Sequence, residues 1–494
     1  MSNEINISED KLLAKLKLTS SDAALGRQKR KLARDIMEGL NKMRSMSTTY
    51  LYKDIDEAEE DYTARLTKRT SLSPAFKKTI EDIVNKIFIK KISFSYDTED
   101  ERVDTILNNI DKRSNDLNEF AKKIAHNCLV NGIWFVEVNV NTAILNQQKF
   151  SFKSIDCNDV NWYKLDDEGK IELFSYNVKT YETNPETFEE ELVEYIYCYQ
   201  LKNDNITLAD KDYVVMTTYR KTPNSDYVGK YTVLSNITQI PVVPFYFDAK
   251  ENEKLLNADV PLNDMADKTL LHWNKYSYYD NLVTISAIPF LNISGLRGVS
   301  NSEDAEEVKL SAKKIMAFED TDAKVSWVVQ PSDSSTQIKE LVDRIENEMK
   351  VMGSEFLDIQ KSFSTATEAV LNSLDTASKA SNFAIQLEKS LKKCFEIAFE
   401  FIALNTNFEL EVNKNVQIFK DEEVFRILDG LHSKNIISDS QFIEYINKMK
   451  LLGFEIDEEK RKELLEKEGK LFNTDINNLN NMLNQEQASE DNQA

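Results

Sequence analysis

The chain has 494 residues, 41% of them hydrophobic and 30% charged, and 62 Lys and Arg against 84 Asp and Glu give a formal charge of −22. That length allows about two to four domains with a substantial core, and so acidic a balance excludes a surface that grips nucleic acid by neutralising phosphates. Four cysteines (Cys128, Cys157, Cys198, Cys394) without CxxC spacing exclude a disulfide framework and fit a reducing compartment. Cys128 and Cys198 sit in apolar runs and read as core residues. The opening MSNEINISED lacks the basic-then-apolar order of a signal peptide, and no stretch reaches ~18 uncharged apolar residues. The expectation is a protein with no leader and no membrane-spanning helix, kept in a cytosol or in a particle assembled there.

Residues 1–50 are charged and partly helical by pattern. From Asp54 to Phe94 the apolar positions Tyr62, Leu66, Ile80, Ile83, Val84 and Ile87 recur at helical spacing. A further helix is expected from Leu117 to Val130, with Phe120, Ile124 and Cys128 on one face. The period then changes. Ile133–Val140 reads as a strand and opens a series: Phe150–Ile155, Ile171–Val178, Glu194–Leu201, Tyr213–Tyr219, Tyr231–Ile237 and Val242–Phe247. Asp166-Asp-Glu-Gly169 is a hairpin-turn signal, and the alternation Tyr195, Tyr197, Tyr199 suggests one face of a half-exposed strand. This middle block is expected to be an antiparallel β-rich domain set between helical segments.

After Pro261 helical character returns over Leu262–Leu282, whose aromatics (Trp273, Tyr276, Tyr278, Tyr279) suggest packing on a large surface rather than a ligand surface. A mixed insert follows over roughly 284–330, with strand-like Ile285–Ile293 and Val325–Gln330. Ser334-x-x-Gln337 is a capping box opening a helix to about Ile359, with Ile338, Leu341, Val342, Ile345, Met349, Met352 and Phe356 on its apolar face. The polar loop Gln360–Ser364 ends at a second capping box, Thr365-x-x-Glu368. The helix it starts could reach Leu404, about 57 Å at 1.5 Å per residue. Its first half carries small residues (Ala377, Ser378, Ala380, Ser381, Ala384) that would let another helix or a neighbouring subunit approach closely. Phe408–Val412 reads as a strand, 421–470 as a short helical module with Glu458/Lys462 and Glu463/Lys467 pairs, and the Asn/Gln-rich tail from Asn473 as disordered. All eight prolines fall at or before Pro331, which leaves the chain beyond it free to be helical.

Catalytic signatures are missing: there is no GxxxxGK(S/T), GxGxxG or HExxH, and Gly295 and Gly298 in SGLRGVS read as a loop. His126, His272 and His432 lie far apart and read as packing or surface residues. Acidic pairs such as Asp97/Asp100 and Asp320/Asp322 arise by chance among 84 acids. No catalytic residue, metal or cofactor is expected, and the chain reads as a non-enzyme. The basic cluster Arg27, Lys29, Arg30, Lys31 and Arg34 is expected to be a solvated helix face or mobile arm, the alternative being a surface for nucleic acid or a protein partner.

Three segments carry a resemblance: TYLYKDIDEAEEDYTARLTKRTSLSPAFKKTIEDIVNKIF, DLNEFAKKIAHNCLVNGIWFVEVNV, and ITQIPVVPFYF followed by LNDMADKTLLHWNKYSYYDNL. In their order, across roughly residues 48–470, the chain resembles the tailed-bacteriophage portal protein family. The resemblance implies an α+β, mostly helical portal fold: a charged arm (1–47), a β-rich wing (48–260), a stem helix (261–283), a small clip insert (284–333), and a second stem helix (334–359). A channel loop, long channel-backing helix and return strand (360–420), a helical crown (421–472) and a disordered tail (473–494) follow. It implies a structural ring, dodecameric in most of the family, at one capsid vertex, assembled in the host cytoplasm. Double-stranded DNA would pass through the ring, packaged by the terminase large subunit, and the ring would bind major capsid or scaffolding protein and a head-completion or tail adaptor. No membrane is involved. The DNA-facing channel loop would fall on Gln360, Lys361, Ser362, Phe363, Ser364 and Thr365, with Lys361 supplying transient contacts in an otherwise repulsive acidic bore. Two other readings stay open: another non-enzymatic virion component such as a neck adaptor, and a metal-dependent nuclease.

Overall fold

The computed structural model describes residues 3–5, 11–55, 57–97, 101–140, 150–167, 169–203, 212–223, 225–234, 237–248, 255–286, 290–294, 324–328, 333–356, 379–414, 429–434, 436–449, 457 and 460. The chain divides into two compact units, Met1–Asp358 with Ala377–Val416, and Ile359–Thr376 with Gln417–Ala494. Within the described residues it is a mixed helix-and-sheet protein, as expected.

In the first unit, short helices α1 (Lys11–Leu16), α3 (Leu40–Ser45) and α4 (Ser47–Tyr50) flank the longer α2 (Ser21–Glu38). Ser20 caps α2, its Oγ accepting from Ala23 N at 3.2 Å. Helices α5 (Glu59–Thr67) and α6 (Ala75–Ile87) and strand β2 (Ser93–Tyr96) occupy the region expected to read as one helical pattern. Pro74 is the reason for the break: it disfavours helical geometry at the residue before it and sits at the N-cap of α6. Phe94 joins a strand because its ring packs on Phe395 and Phe408.

After α7 (Glu101–Leu107), α8 (Leu117–Asn131) starts on an Asp116 cap that accepts from Glu119 N at 2.7 Å. It ends at Gly132, whose φ of 81° turns the chain into β3 (Ile133–Val140). A Cβ there would also lie 2.2 Å from Asp259 O, so any side chain is doubly unfavourable.

Two antiparallel sheets follow. One has three strands in the order β10 (Val242–Tyr246), β3, β4 (Phe150–Ile155). The other has six: β1 (Asn3–Ile5), β9 (Val228–Leu234), β8 (Asp212–Lys221), β7 (Glu190–Asn203), β6 (Ile171–Thr183) and β5 (Val160–Leu165). The expected hairpin at 166–169 joins β5 to β6, where Asp166 N donates to Lys170 O and Gly169 takes a φ of 81°. β5 itself is absent from the strands expected from sequence, and its pairing slips twice, at Val160/Trp162 and Lys164/Leu165. Such irregular pairing leaves no clean alternation to read. β9 ends at Leu234, short of the expected Ile237.

Period-2 geometry splits β7 between two surroundings. Ile196 and Cys198 pack with Tyr219 under Leu13 and Leu16 of α1. Tyr195, Tyr197 and Tyr199 turn the other way, the first two half-buried and Tyr199 buried.

Helices α9 (Asn263–Ser286), α10 (Asp333–Phe356) and α11 (Lys379–Phe401) complete the unit, with the two-stranded pair β11 (Phe290–Ser294) and β12 (Lys324–Val328), and β13 (Phe408–Glu411) paired to β2. The core gathers on α11, where Phe395 meets Phe94, Phe150, Phe152, Phe399 and Phe408. Of the small-residue face, Ala380 and Ala384 are fully buried and Ser381 is half-buried. Residues 365–378 of the expected long helix lie outside the described residues, as do 357–359 of the expected second stem helix.

In the second unit, α12 (Asp439–Met449) starts on a capping box: Gln441 N donates to Ser438 Oγ and Ser438 N donates to Gln441 Oε1. His432 stacks on Phe442 at 4.7 Å between centroids. The expected charged pairs Glu458/Lys462 and Glu463/Lys467 and the tail from Asn473 lie outside the described residues.

Candidate functional site

Helices α9 and α10 pair antiparallel, as their side-chain partners show. Lys268 Nζ meets Glu348 Oε2 at 2.5 Å, and Thr269 Oγ1 lies 3.6 Å from Met349 Sδ. One turn further along α9, His272 Nε2 lies 3.1 Å from Glu346 Oε1. The seam is apolar because Val342, Ile345 and Met349 recur at three and four residues, and all are buried. Lys268 holds the Glu348 carboxyl below the usual range. Gly353 lets α10 come against α6: a Cβ there would sit 3.1 Å from Thr79 Oγ1. Between the two helices in sequence stands the β11–β12 pair, with Phe290 opposite Val328 and Ser294 opposite Lys324.

The helix pair is fastened to the body by α9. Arg65, with no exposed side-chain surface, grips Glu57 through Nε at 2.5 Å and Nη2 at 2.7 Å. It donates as well to Ser277 Oγ and Tyr52 O, both at 2.9 Å, and lies 3.9 Å from the centre of the Tyr278 ring. Two further ties run alongside: Asn274 Nδ2 to Tyr50 O at 2.9 Å, and Tyr278 OH to Asp54 Oδ2 at 2.8 Å. Arg69 adds a bond to Asn281. The aromatics of α9 are therefore packing and anchoring groups: Trp273 is fully buried and Tyr278 is half-covered by Arg65.

The basic cluster on α2 overturns the expectation of a solvated face or mobile arm. Arg34 forms a two-pronged pair with Asp156 at 2.9 and 2.8 Å, and Lys29 meets Asp259 at 2.7 Å. Arg27 bonds Asn161 Oδ1 at 2.6 Å, and Arg30, fully buried, bonds Asn158 Oδ1 and Leu256 O at 3.1 and 2.6 Å. Lys31 is exposed. The physical cause is geometric. Residues 27, 30 and 34 share one helix face, and Gly26 brings that face against the 3-10 turn Leu255–Asn257, where a Cβ would lie 1.9 Å from Leu256 O.

Where the two sheets meet, Glu137 of β3 is buried and accepts from Tyr176 OH and Tyr199 OH, both at 2.6 Å, with Lys153 Nζ at 3.5 Å. Burial, then the neighbouring Glu137 carboxylate, pushes both phenols well above their ordinary range. Beside this pin lies a groove of about 490 Å³, lined by Lys112, Arg113, Trp134, Tyr176, Asp159 and the whole run from Ser151 to Asp156. Burial and the nearby Asp156 carboxylate raise Asp159 to about 6.

Residues 261–402, from the start of α9 to the end of α11, match the model of a domain of unknown function (DUF4055). No curated protein matches the chain. Among solved structures, the chain is similar to one in the virion of a native gene transfer agent (GTA) particle, at 9% identity and a TM-score of 0.39, covering 81% of this chain and 96% of that one. It is similar to a chain in the neck of an empty GTA particle computed with C6 symmetry, at 10% identity and a TM-score of 0.42, over 81% and 96% of the two chains. A third likeness is to the neck of a native GTA particle computed with C12 symmetry, at 10% identity and a TM-score of 0.36, over 82% and 98%.

The expected channel-loop residues Gln360, Lys361, Ser362, Phe363, Ser364 and Thr365 lie outside the described residues. Among the described residues no group of three or more His, Cys, Asp or Glu could hold a metal ion, and no helix is long and apolar enough to cross a membrane. All four cysteines are free and buried. His126 is half-buried, and burial lowers its pKa. His272 is buried against Glu346. Sequence reading missed Arg65 and Glu137, because their partners lie up to 212 residues away in the chain.

Proposed function

We propose that this chain is the ring-forming portal subunit of a tailed bacteriophage, a structural conduit at one capsid vertex and not an enzyme. One observation carries the reading: α9 and α10 run antiparallel on either side of a small β pair in sequence, and α9 is anchored in a sheet-rich body by the buried Arg65. That is the arrangement the resemblance implies for a stem carrying a clip beside a wing. Repeating one heterologous contact around an axis closes a ring, with about twelve copies in the reading adopted.

In this proposal α9 and α10 are the stem, β11–β12 belongs to the clip, α11 lies behind the channel loop, and Gln360–Thr365 face the DNA. The terminase large subunit supplies ATP hydrolysis, and capsid or scaffolding protein and a head-completion or tail adaptor dock outside. An acidic wall repels the duplex and lets it slide, while Lys361 supplies the transient contact. Native mass spectrometry with negative-stain imaging tests the proposal on the purified protein. Annular particles near twelve subunits, with a hole wide enough for duplex DNA, support it. A stable dimer or tetramer without a hole sinks it and reopens the nuclease reading. Neutralising Lys361 together with its loop should alter packaging or DNA retention.

A further inference from the structure

We propose that the outer faces of α9 and α10 are the two halves of one contact between copies of this chain, in which Leu271 of one copy seats in a groove on α10 of the next. The inference rests on the ring reading and adds the side chains that would close the ring. Val342, Ile345 and Met349 turn α10 toward α9, which leaves Arg344, Asn347 and Val351 exposed on its far side. With Asp343, Glu348 and Met352 they line an open groove of about 620 Å³. Arg344, Asn347, Glu348 and Val351 stand at i, i+3, i+4 and i+7, the four corners of a hole that takes one knob from a facing helix.

The knob stands on α9. Thr269 and His272 face α10, and Trp273, Asn274 and Ser277 are buried as well. Asp267 and Leu271 remain exposed, with Lys275 half-buried one turn further along. Leu271 keeps 39% of its surface in water, and Val351 in the α10 groove keeps 37%.

Symmetry fixes the register, and the register selects the occupant. Rotation about an axis along the helix pair keeps every residue at its own height. α9 of one copy therefore meets α10 of the next in the register that the two helices have within one copy, where Lys268 lies opposite Glu348 and His272 opposite Glu346. That register sets Leu271 level with Asn347, in the middle of the hole. On either side the charges are complementary: Lys275 comes level with Asp343, and Asp267 with Lys350. None of these four forms an ion pair among the described residues. Slipping by one turn would set Lys275 against Lys339 instead. Exposed pairs of this kind contribute little affinity but discriminate against wrong registers, so the seated Leu271 holds the contact and the charges align it.

The test uses the full chain, whose four native cysteines are buried, with cysteines introduced at exposed positions and oxidised in the assembled protein. Facing helices bring such positions within disulfide reach. The double variant L271C/N347C should give a ladder of disulfide-linked oligomers up to the closed ring, and L271C or N347C alone should give none. Both positions are on the surface, so the melting temperature of the reduced variants should match that of the native chain. Lys275→Asp should cut the annular fraction about tenfold, and K275D/D343K should recover most of it at the original net charge. Annular particles without a ladder, or without recovery in the double exchange, would overturn this contact and leave the ring reading standing. Linked dimers from L271C alone would mean a two-fold contact of α9 on α9 and overturn both. Neither rings nor a ladder would likewise overturn both.

Discussion

Arg65 sits in the short helix EEDYTARLT, where nothing distinguishes it from an ordinary surface arginine; its partners lie 8, 13 and 212 residues away. Only the folded chain turns it inward, and there four of its five N–H donors meet Glu57, Ser277 and Tyr52 in one fork. Removing the guanidinium leaves a carboxylate nearly enclosed, at 9% side-chain exposure, without its counter-charge. Arg65→Ala is therefore expected to lower the unfolding free energy by about 3–5 kcal/mol, read from urea denaturation. Arg65→Lys should recover less than half, since a point charge cannot reproduce the two-pronged contact. Asp159 makes the opposite kind of statement. Its folded-state pKa is raised from 3.8 to about 6, so protonation favours the fold: the stabilisation is complete below 3.8 and lost as pH rises through about 6. Asp159→Asn should raise the melting temperature at pH 8 and leave it nearly unchanged at pH 4. The gain should be about 1 kcal/mol after allowing for solvent screening at a half-exposed site. An equal gain at both pH values would assign the effect to packing instead.

Elements bounded by strong local signals are legible before folding, and those defined by distant partners are not. β3 and β4 fall at the expected residues because apolar alternation begins at Ile133, straight after the helix-ending Gly132. α9 and α10 likewise fall within a few residues of expectation, α9 following Pro261 and α10 beginning at Asp333, so that Ser334 lies inside the helix it was expected to cap. β5 escapes a sequence reading because its irregular pairing with β6 hides the period, and Phe94 reads as helical because only its contacts with Phe395 and Phe408 make it a strand residue. The α2 cluster shows the same limit. Its charges are visible in the sequence, but whether they face solvent depends on Gly26, whose lack of a side chain seats α2 against the turn at Leu255–Asn257. Gly26→Ala places a Cβ 1.9 Å from Leu256 O, a backbone atom that must move. The expected cost is about 1–3 kcal/mol, measured by thermal unfolding. Displacing Arg30 from Leu256 O and Asn158 should also loosen the β4–β5 turn, seen as faster amide exchange at Asn158 and Asp159. Unchanged exchange with a normal melting temperature would mean that the turn holds without the helix.

At the scale of the whole molecule, the leading electrostatic feature is the formal charge of −22, in a chain where Arg34, Arg65, Lys268 and Lys414 are committed to internal carboxylates. If the chain closes into a ring of about twelve, the assembly gathers roughly −260 charges. Repulsion of that size opposes closure at low ionic strength, where the screening length is about 30 Å at 0.01 M, and relaxes when salt shortens it to about 8 Å at 0.15 M. Ring formation should therefore rise with salt, opposite to the behaviour of an assembly held by complementary charges. The internal ties at Arg65 and Arg34 are buried or two-pronged and should be little affected over the same range. Sedimentation velocity across that salt series, with a parallel thermal melt, separates the two effects. An annular fraction that grows while the melting temperature stays level supports an interface closed by apolar contact against a uniform acidic repulsion. A fraction that falls with salt would show that opposite charges across the subunit boundary outweigh that repulsion, and Lys275 and Lys350 would be the first to replace.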